Sequence, residues 1–311
     1  MTNLTAPIFT NEEAARAHFE AIRWPDGRVC PHCGTFENSH LMTGKSTRPG
    51  LYKCRDCRKP FSATIGTIYE RSHIPLHKWL LATQLIVASK KGMSANQLHR
   101  MLGFGSYRTA WFMAHRIREA MKPADGDQFG SDGGAVEVDE TYIGRKKGRD
   151  TARAGNAHKM AVLSLVERNT GAVRSFTIEN TRSDEIHPIL LSNIAREARL
   201  MTDEARMYWK VGKEFAAHGS TLHGAGTYVD RNDRTIHTNT IEGFFSIFKR
   251  GMREIYQHCG EHYLNRYLAE FDFRYTFRAA NGYNDDDRAK VAIQGVVGRR
   301  LTYQQPHHRT A

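Results

Sequence analysis

The sequence predicts an α/β protein in which a cysteine-rich module and a small helical module precede a larger domain of strands and helices. Three observations support this: paired cysteines near the N-terminus, apolar residues at helical spacing in residues 75–122, and alternating polarity after a Pro-, Gly- and Asp-rich linker at 123–135. The expected parts are an N-terminal helix (1–22), the cysteine module (23–70), the helical domain (71–124), the α/β domain (135–285) and a basic tail (286–311).

The composition excludes several classes of protein. The 311 residues include 45 Lys and Arg against 33 Asp and Glu, a formal net charge of +12 that favours a polyanionic partner such as nucleic acid. No apolar run approaches the roughly 18 residues of a membrane helix, and the N-terminal segment lacks the pattern of a signal peptide. We therefore expect no membrane partner and a cytoplasmic protein that binds nucleic acid.

Four of the five cysteines form two C-x2-C pairs with 20 residues between them: Cys30, Cys33, Cys54 and Cys57. Each turn can point two sulfurs at one tetrahedral ion, so the spacing predicts a zinc ribbon with structural Zn²⁺ bound by four thiolates. The ion would stabilise a segment that is too small to fold around a core of its own. The alternatives are redox-active pairs or buried free thiols, although neither pair opens a helix after a strand. Cys259 is expected to be a structural thiol.

Helical patterns flank the cysteine module. Residues 10–22 predict a short helix with Thr10 as its N-cap, and residues 75–122 predict three helices. A glycine-containing turn separates the last two, which is typical of a helix-turn-helix motif. Basic residues lie on or near its second helix: Arg108, His115, Arg116 and Arg118. The alternative is a three-helix bundle that serves only packing.

Strand patterns begin after the linker. Three strands are expected at 135–144, 160–168 and 172–180, then a helix from Ser183, a strand at 199–205 and a helix at 207–215. Residues 221–230 are expected to form a loop or an edge strand, and two long helices follow at 238–257 and 262–277. This order predicts a ribonuclease H-like core.

Acidic residues occupy particular places in this core. Asp139 lies in the middle of the first strand, where aspartate is disfavoured, and shares one face of the strand with Glu137. Asp203 ends the strand at 199–205, and Glu242 shares a helix stripe with Lys249 and Asn239. The alternative for Asp203 is that it caps the next helix. The alternative for Glu242 and Lys249 is that they are ordinary surface residues of their helix. Glu137 and Glu140 flank Asp139 and are alternative or auxiliary ligands.

Three carboxylates carried by two strands and a helix suit one task. They can hold two divalent ions that stabilise both oxygens of an in-line phosphoryl displacement, and hard oxygen ligands favour Mg²⁺ or Mn²⁺. Lys249 is placed to contact a DNA phosphate. We therefore expect catalysis and metal binding at Asp139, Asp203 and Glu242, with Lys249 positioning the attacked strand.

The chain resembles the DDE transposases of bacterial insertion sequences that carry an N-terminal zinc ribbon before an ISXO2-like catalytic domain. The resemblance is carried by CPHCG…YKCRDCRKPFSATIGTI, by VEVDETYIG and by the stretch from HTNTIEGFFSIFKRG to FRYTFR. It implies recognition of terminal inverted repeats by the ribbon and the helix-turn-helix, and metal-dependent cleavage and transfer of DNA strands at an Asp-Asp-Glu site followed by Lys. The matching positions are Asp139, Asp203, Glu242 and Lys249. Some members are described with Asn as the third residue, which makes Asn239 the auxiliary candidate.

Basic clusters predict the surface that binds double-stranded DNA, both the element ends and the target. One follows the first strand (Arg145, Lys146, Lys147 and Arg149), and a second lies beside Glu242 (Lys249, Arg250 and Arg253). Tyr142 and Tyr256 are candidates for base stacking, with a core position as the alternative. We expect a homo-oligomer in the active complex. The alternative functions are a transposase-derived DNA-binding regulator and a ribonuclease H-like nuclease without strand transfer.

Overall fold

The computed structural model describes residues 2–123, 126–148, 155–222 and 229–302. The chain divides into two compact units. The first comprises Met1–Ser89, Met93–Met121 and Asn284–Ala311, and the second comprises Lys90–Gly92 and Lys122–Tyr283. None of the described helices has the length and apolar character needed to cross a bilayer.

The first unit opens with two short helices, α1 (Pro7–Thr10) and α2 (Glu12–Arg23). Asn11 caps α2, because its side chain accepts hydrogen bonds from the backbone N–H groups of Glu13 and Ala14. The prediction that Thr10 caps this helix is wrong, since Thr10 ends α1 and the helix begins two residues later.

The cysteine module contains three short antiparallel strands, β1 (Ser39–Leu41), β2 (Tyr52–Cys54) and β3 (Pro60–Phe61), with β2 in the middle. Its small core contains Tyr52 and Phe61 together with buried cysteines. So few buried side chains cannot offset the entropy of ordering the segment, which is why this fold needs a covalent or metal crosslink.

Three helices follow in the first unit: α3 (Leu76–Ala88), α4 (Ala95–Leu102) and α5 (Tyr107–Ala120). Ser94 caps α4, and Gly103 ends it with a φ of 61°, a left-handed conformation that favours glycine. The predicted sequence of two helices joined by a glycine turn is therefore present.

The basic residues of α5 do not form the exposed face that the sequence suggested. His115, Arg116 and Arg118 are buried in the first unit, and the Arg116 guanidinium donates to the Glu70 carbonyl at 2.9 Å and lies over the Trp79 ring. Three-dimensional packing places these long side chains inward, where their aliphatic stems contribute to the core. Arg108, at the start of the helix, is exposed.

The second unit is built on a five-stranded sheet. Its strands are β4 (Ala135–Ile143), β5 (Met160–Glu167), β6 (Val173–Ile178), β7 (Arg199–Asp203) and β8 (Ala217–Thr221). The spatial order is β6-β5-β4-β7-β8; β4, β5 and β6 form an antiparallel meander, and β7 and β8 are parallel to β4 and to each other. This topology confirms the predicted ribonuclease H-like core. β8 forms one edge of the sheet. Most of the segment 221–230, which was expected to form a loop or an edge strand, lies outside the described residues.

Helices cover both faces of this sheet. They are α6 (Ser183–Asn193), α7 (Met207–Val211), α8 (Asn239–Gly251) and α9 (Leu264–Thr276). Val136 and Val138 belong to the apolar cluster under α6 and α7, whereas Val162 belongs to the cluster under α8 and α9. Because side chains alternate along β4, its odd-numbered residues, including Glu137 and Asp139, face the α8 side.

The expected basic tail begins with a helix instead, α10 (Asp285–Gln294). Asn284 and Asp287 form a capping box at its start, and Ala292 and Ile293 are buried. α10 packs against α3 and belongs to the first unit. The acidic first turn and the small apolar residues that follow are typical of a helix. The net positive charge of residues 286–311 instead favoured the prediction of a tail.

Candidate active site and metal centre

Two neighbouring parallel strands bring two aspartates together. The register pairs Val136 with Leu200 and Glu137 with Met201, and two residues further along each strand lie Asp139 and Asp203. One carboxylate oxygen from each of three residues, Asp139, Glu140 and Asp203, lies within 4.8 Å of the other two. We refer to these three residues as the acidic cluster.

Burial and mutual repulsion mark this cluster as a site for cations. The pKa of Asp139 is raised to about 8, chiefly because the carboxyl group is buried and also because the charges of Glu140, Asp203 and Glu242 surround it. Burial likewise raises the pKa of Glu140. Such carboxylates need a proton or a cation to coexist, and their oxygens are the ligands that Mg²⁺ and Mn²⁺ prefer. The donor set therefore fits a divalent-metal centre.

Local hydrogen bonds hold the cluster in place. Tyr208, which is fully buried on α7, donates its hydroxyl hydrogen to Glu140 Oε2 at 2.7 Å. Asp203 Oδ1 accepts the backbone N–H of Ala205 at 3.0 Å, which orders the turn after β7. Asp203 does not cap α7 as the sequence alternative suggested, because the N-cap of that helix is Arg206. Sequence reasoning did not find Tyr208; its only signal is an aromatic residue with a polar end, close after Asp203.

The helix α8 adds Glu242 and Lys249. The negative charge of Glu242 contributes to the raised pKa of Asp139. Burial lowers the pKa of Lys249, and the charge of Asp139 partly offsets this effect. Both side chains are half-buried, whereas Asn239, the first residue of the helix, is exposed. Among the described residues, the close cluster thus contains Glu140 as its third carboxylate, with Glu242 near enough to influence Asp139.

Glu137 has a different environment. It is fully buried; its Oε2 accepts the backbone N–H of Ile241 at 2.9 Å and its Oε1 accepts Arg168 Nε at 2.6 Å. His237 Nδ1 lies 3.3 Å from the same Oε1. Both carboxylate oxygens are therefore occupied by protein donors, and Glu137 attaches the start of α8 to β4.

The four paired cysteines meet in the first unit. Their four Sγ atoms all lie within 4.8 Å of one another. The Sγ–Sγ distance is 3.7 Å both for Cys30–Cys57 and for Cys33–Cys54. Sulfurs bound at about 2.3 Å to a tetrahedral ion are separated by about 3.8 Å, so the arrangement fits zinc. The Thr35 hydroxyl beside Cys33 helps to lower the pKa of that thiol to about 6, which favours the thiolate that zinc binds. Cys259 lies in the second unit, half-buried beside the cluster under α8 and α9.

The predicted basic clusters are partly exposed. Lys146 is buried and donates to the Glu179 carbonyl at 3.1 Å, whereas Arg145 and Lys147 are exposed. Arg149 lies outside the described residues. Arg250 and Arg253 are exposed beside Lys249.

The two tyrosines proposed for base stacking are half-buried. Tyr142 packs against the cluster under α6 and α7, and Tyr256 packs against the cluster under α8 and α9. This position is the alternative that the sequence left open, in which both residues serve the core.

Comparison with known families agrees with this geometry. Residues 132–276 match the ISXO2-like transposase domain, and residues 10–60 match the transposase zinc-ribbon domain. The chain therefore carries the two domains that the sequence resembled, a transposase zinc ribbon and an ISXO2-like transposase domain. The first match covers the sheet with its acidic cluster and α8, and the second covers the four cysteines, so both predicted metal sites fall in the matched regions.

A relative supports the same assignment. The chain is 26% identical over 281 residues to an uncharacterized protein in the transposable element ISH50 of Halobacterium salinarum, covering 86% of this chain and 91% of the relative. Among solved structures, it is similar to a chain of the simian T-cell lymphotropic virus intasome in complex with PP2A regulatory subunit B56 gamma. That similarity has 14% identity, covers 62% of this chain and 65% of the other, and has a TM-score of 0.29, which is too low to support a conclusion.

Proposed function

We propose that the chain is a DDE-type transposase that binds double-stranded DNA at the terminal inverted repeats of an insertion sequence. It cleaves a strand there and transfers the released end to target DNA in a reaction that requires two divalent metal ions. The observation that supports this most directly is the convergence of Asp139 and Asp203 from neighbouring parallel strands, with Glu242 of α8 near them.

The roles of the acids follow from their positions. Asp139 and Asp203 would bind the divalent ions, with Glu242 as the third catalytic acid and Glu140 as an additional ligand beside them. Bound there, Mg²⁺ or Mn²⁺ would stabilise charge on the attacking and leaving oxygens of the phosphate. Glu242 suits the third catalytic position better than Asn239, because a carboxylate neutralises a cation and an amide does not. Glu242 is also half-buried near Asp139, whereas Asn239 is exposed.

Lys249 is suited to hold the substrate. It lies two helical turns after Glu242, on the same stripe of α8, and the charge of Asp139 acts on its pKa. An ammonium group there would bind a phosphate next to the scissile bond and would keep the strand from being repelled by the carboxylates.

Recognition of the element ends would fall to the first unit. Cys30, Cys33, Cys54 and Cys57 would hold the structural Zn²⁺, and exposed cations surround the second pair: Lys53, Arg55, Arg58 and Lys59. Cations displayed on a small rigid module bind phosphates and fix its register on a duplex. The protein would act in the cytoplasm, on DNA of the nucleoid.

The test uses the purified chain and DNA that carries the inverted repeats bracketing its gene. With Mg²⁺ or Mn²⁺ we expect nicks at the element ends and joined products with a target plasmid. Asp139→Asn should abolish both products and retain binding to the ends. Nicks without joined products would instead indicate a nuclease, and wild-type binding without cleavage would indicate a regulator; either result contradicts the proposal. The mass of the complex on paired ends should be that of a homo-oligomer.

A further inference from the structure

The helix that follows Asp203 carries an exposed tryptophan next to the acidic cluster. Trp209, on α7, has 57% of its surface exposed. The exposed part of this indole gains no stabilisation from burial, and Trp is enriched at binding interfaces because its ring is apolar and its N–H is polar. The mechanism proposed above assigns Trp209 no role.

The exposure of Trp209 does not result from a loosely attached helix. The opposite face of α7 is buried: Tyr208 is fully inaccessible, and Val211 is 2% exposed. Tyr208 also donates its hydroxyl hydrogen to Glu140. The helix is therefore fixed against the sheet, and Trp209 is presented to solvent from a rigid support.

Trp209 is close enough to the acidic cluster to meet the same DNA strand. Its neighbour Tyr208 touches Glu140, and consecutive Cα atoms are about 3.8 Å apart, so the indole lies on the order of 10–15 Å from the carboxylates. Successive nucleotides of a strand rise by about 3.4 Å, which makes this distance about three to four steps. A strand whose phosphate enters the cluster therefore has a base within reach of Trp209.

The charges around Trp209 favour a nucleic acid over a protein partner. Three exposed cations lie on or beside α7, namely Arg206, Lys210 and Lys213. The Arg206 guanidinium lies 5.9 Å from the centre of the indole ring, and the exposed Glu214 is paired with Arg196 at 3.1 Å. Lysines are depleted in protein–protein interfaces, whereas an aromatic face among cations is the usual composition of a surface that binds unpaired nucleotides.

We propose that Trp209, with Arg206, Lys210 and Lys213, forms a platform on which an unpaired base of the substrate DNA stacks beside the acidic cluster. The proposal rests on the proposed function, because it describes how the substrate of that same site is held. Unpairing a base beside the scissile phosphate costs stacking energy, and stacking on the indole would offset that cost.

The experiment measures stacking without chemistry. The full-length chain is mixed, in buffer without added Mg²⁺ or Mn²⁺, with a short duplex that carries a single-stranded arm containing 2-aminopurine. The same duplex without the arm serves as the reference. Binding by the wild type should quench the 2-aminopurine fluorescence. Trp209→Ala should remove the quenching and weaken binding to the forked DNA by about 5- to 100-fold, with fully paired DNA unaffected.

Trp209→Phe is the matched control, because it keeps an aromatic ring and should restore most of the affinity. Lys210→Ala should lower the slope of log affinity against log salt by about one. Quenching and affinity that are unchanged in Trp209→Ala would overturn the proposal. A Trp209→Ala protein that no longer self-associates in sedimentation but binds DNA normally would also overturn the proposal, because it would identify a protein interface.

The readout is also independent of the proposed function. If the wild type cleaves no DNA with Mn²⁺ but quenches through Trp209, the transposase proposal fails and the platform remains. If the wild type cleaves and joins DNA but Trp209→Ala quenches equally, the platform fails and the transposase proposal remains.

Discussion

The carboxylate of Glu137 accepts the backbone N–H of Ile241 at 2.9 Å and thereby joins β4 to the first turn of α8. Asp139 follows Glu137 by two residues, and Glu242 is the residue after Ile241. One buried hydrogen bond therefore links the two elements that carry the proposed catalytic acids. Arg168 supports the link, because it donates to Glu137 at 2.6 Å and to the His237 carbonyl at 2.6 Å.

This link predicts that Glu137→Gln will damage catalysis without removing a metal ligand. The variant leaves the Arg168 guanidinium without its buried counter-charge, and breaking a buried ion pair from one side costs about 3–5 kcal/mol. We expect the free energy of unfolding in urea to fall by about that amount. Strand cleavage should fall as well, because the amide nitrogen of glutamine cannot accept a hydrogen bond and one of the two contacts that hold the start of α8 is lost. Mn²⁺ should still bind the acidic cluster.

The control for this prediction is Glu214→Gln. Glu214 pairs with Arg196 at 3.1 Å, and both side chains are more than half exposed. Exposed ion pairs contribute about 0–1 kcal/mol, so the control should unfold at nearly the urea concentration of the wild type. Equal losses in the two variants would show that Glu137 has no special structural role.

The sequence predicted the features that depend on local pattern. Alternation along β4 placed Asp139 within a strand, and the order of strands and helices together with the placement of the acids predicted the ribonuclease H-like core that the structure shows. The four thiols were predictable from spacing, because a C-x2-C turn has few conformations and its geometry follows from the chain itself.

The features that the sequence did not predict depend on contacts between distant segments. Tyr208 and Glu140 meet only because β4 and α7 pack together, and no periodicity in either segment records it. The burial of Arg116 and Arg118 is a similar case. The helical pattern shows on which side of α5 a charged residue lies, but it does not show which other segment packs against that side. Glu137 could be named as a candidate, but its attachment to α8 required the fold.

Tyr208→Phe tests the hydrogen bond that orients Glu140. The variant keeps the buried ring and loses only the hydroxyl group that donates to the carboxylate at 2.7 Å. Partners that orient metal ligands typically contribute about 10- to 100-fold to metal affinity or activity, so we expect Mn²⁺ binding measured by calorimetry to weaken within that range. Tyr142→Phe is the control, since its hydroxyl contacts Thr181 at 3.3 Å instead; the same loss of Mn²⁺ affinity there would argue against a specific role for Tyr208.

Removal of zinc should unfold the ribbon. Cys54 is 1% exposed and lies among four sulfurs in a module with a very small core, so Cys54→Ser should abolish stoichiometric zinc in atomic absorption measurements and weaken binding to element ends. Cys259→Ser changes a thiol in the second unit and should leave both the zinc content and end binding intact. A Cys54→Ser protein that retains one zinc per chain would contradict the assignment of the site.

Asp139→Asn should stabilise the protein in buffer without Mg²⁺ or Mn²⁺ while it abolishes cleavage. The folded-state pKa of Asp139 is raised from 3.8 to about 8, so between these values the folded chain keeps a proton that the unfolded chain releases. The free energy of unfolding of the wild type therefore falls as pH rises through this window. Asparagine carries no such charge and can still accept the Glu140 N–H, so the melting temperature of the variant should exceed that of the wild type by a margin that grows up to about pH 8.

Addition of Mn²⁺ should reverse this order. The ion binds the deprotonated carboxylates, so it should raise the melting temperature of the wild type, and more so at higher pH, because protons compete with it for Asp139. Asp139→Asn should respond little. Asp132→Asn is the control for the pH dependence, and its effect should have the opposite sign. Hydrogen bonds from Asn169 and from the Gly134 N–H lower the pKa of Asp132. The Asp132 carboxylate therefore stabilises the folded wild type at neutral pH, and this stabilisation is lost as pH falls. If the melting temperature of Asp139→Asn rose with Mn²⁺ as much as that of the wild type, the acidic cluster would not be the metal site.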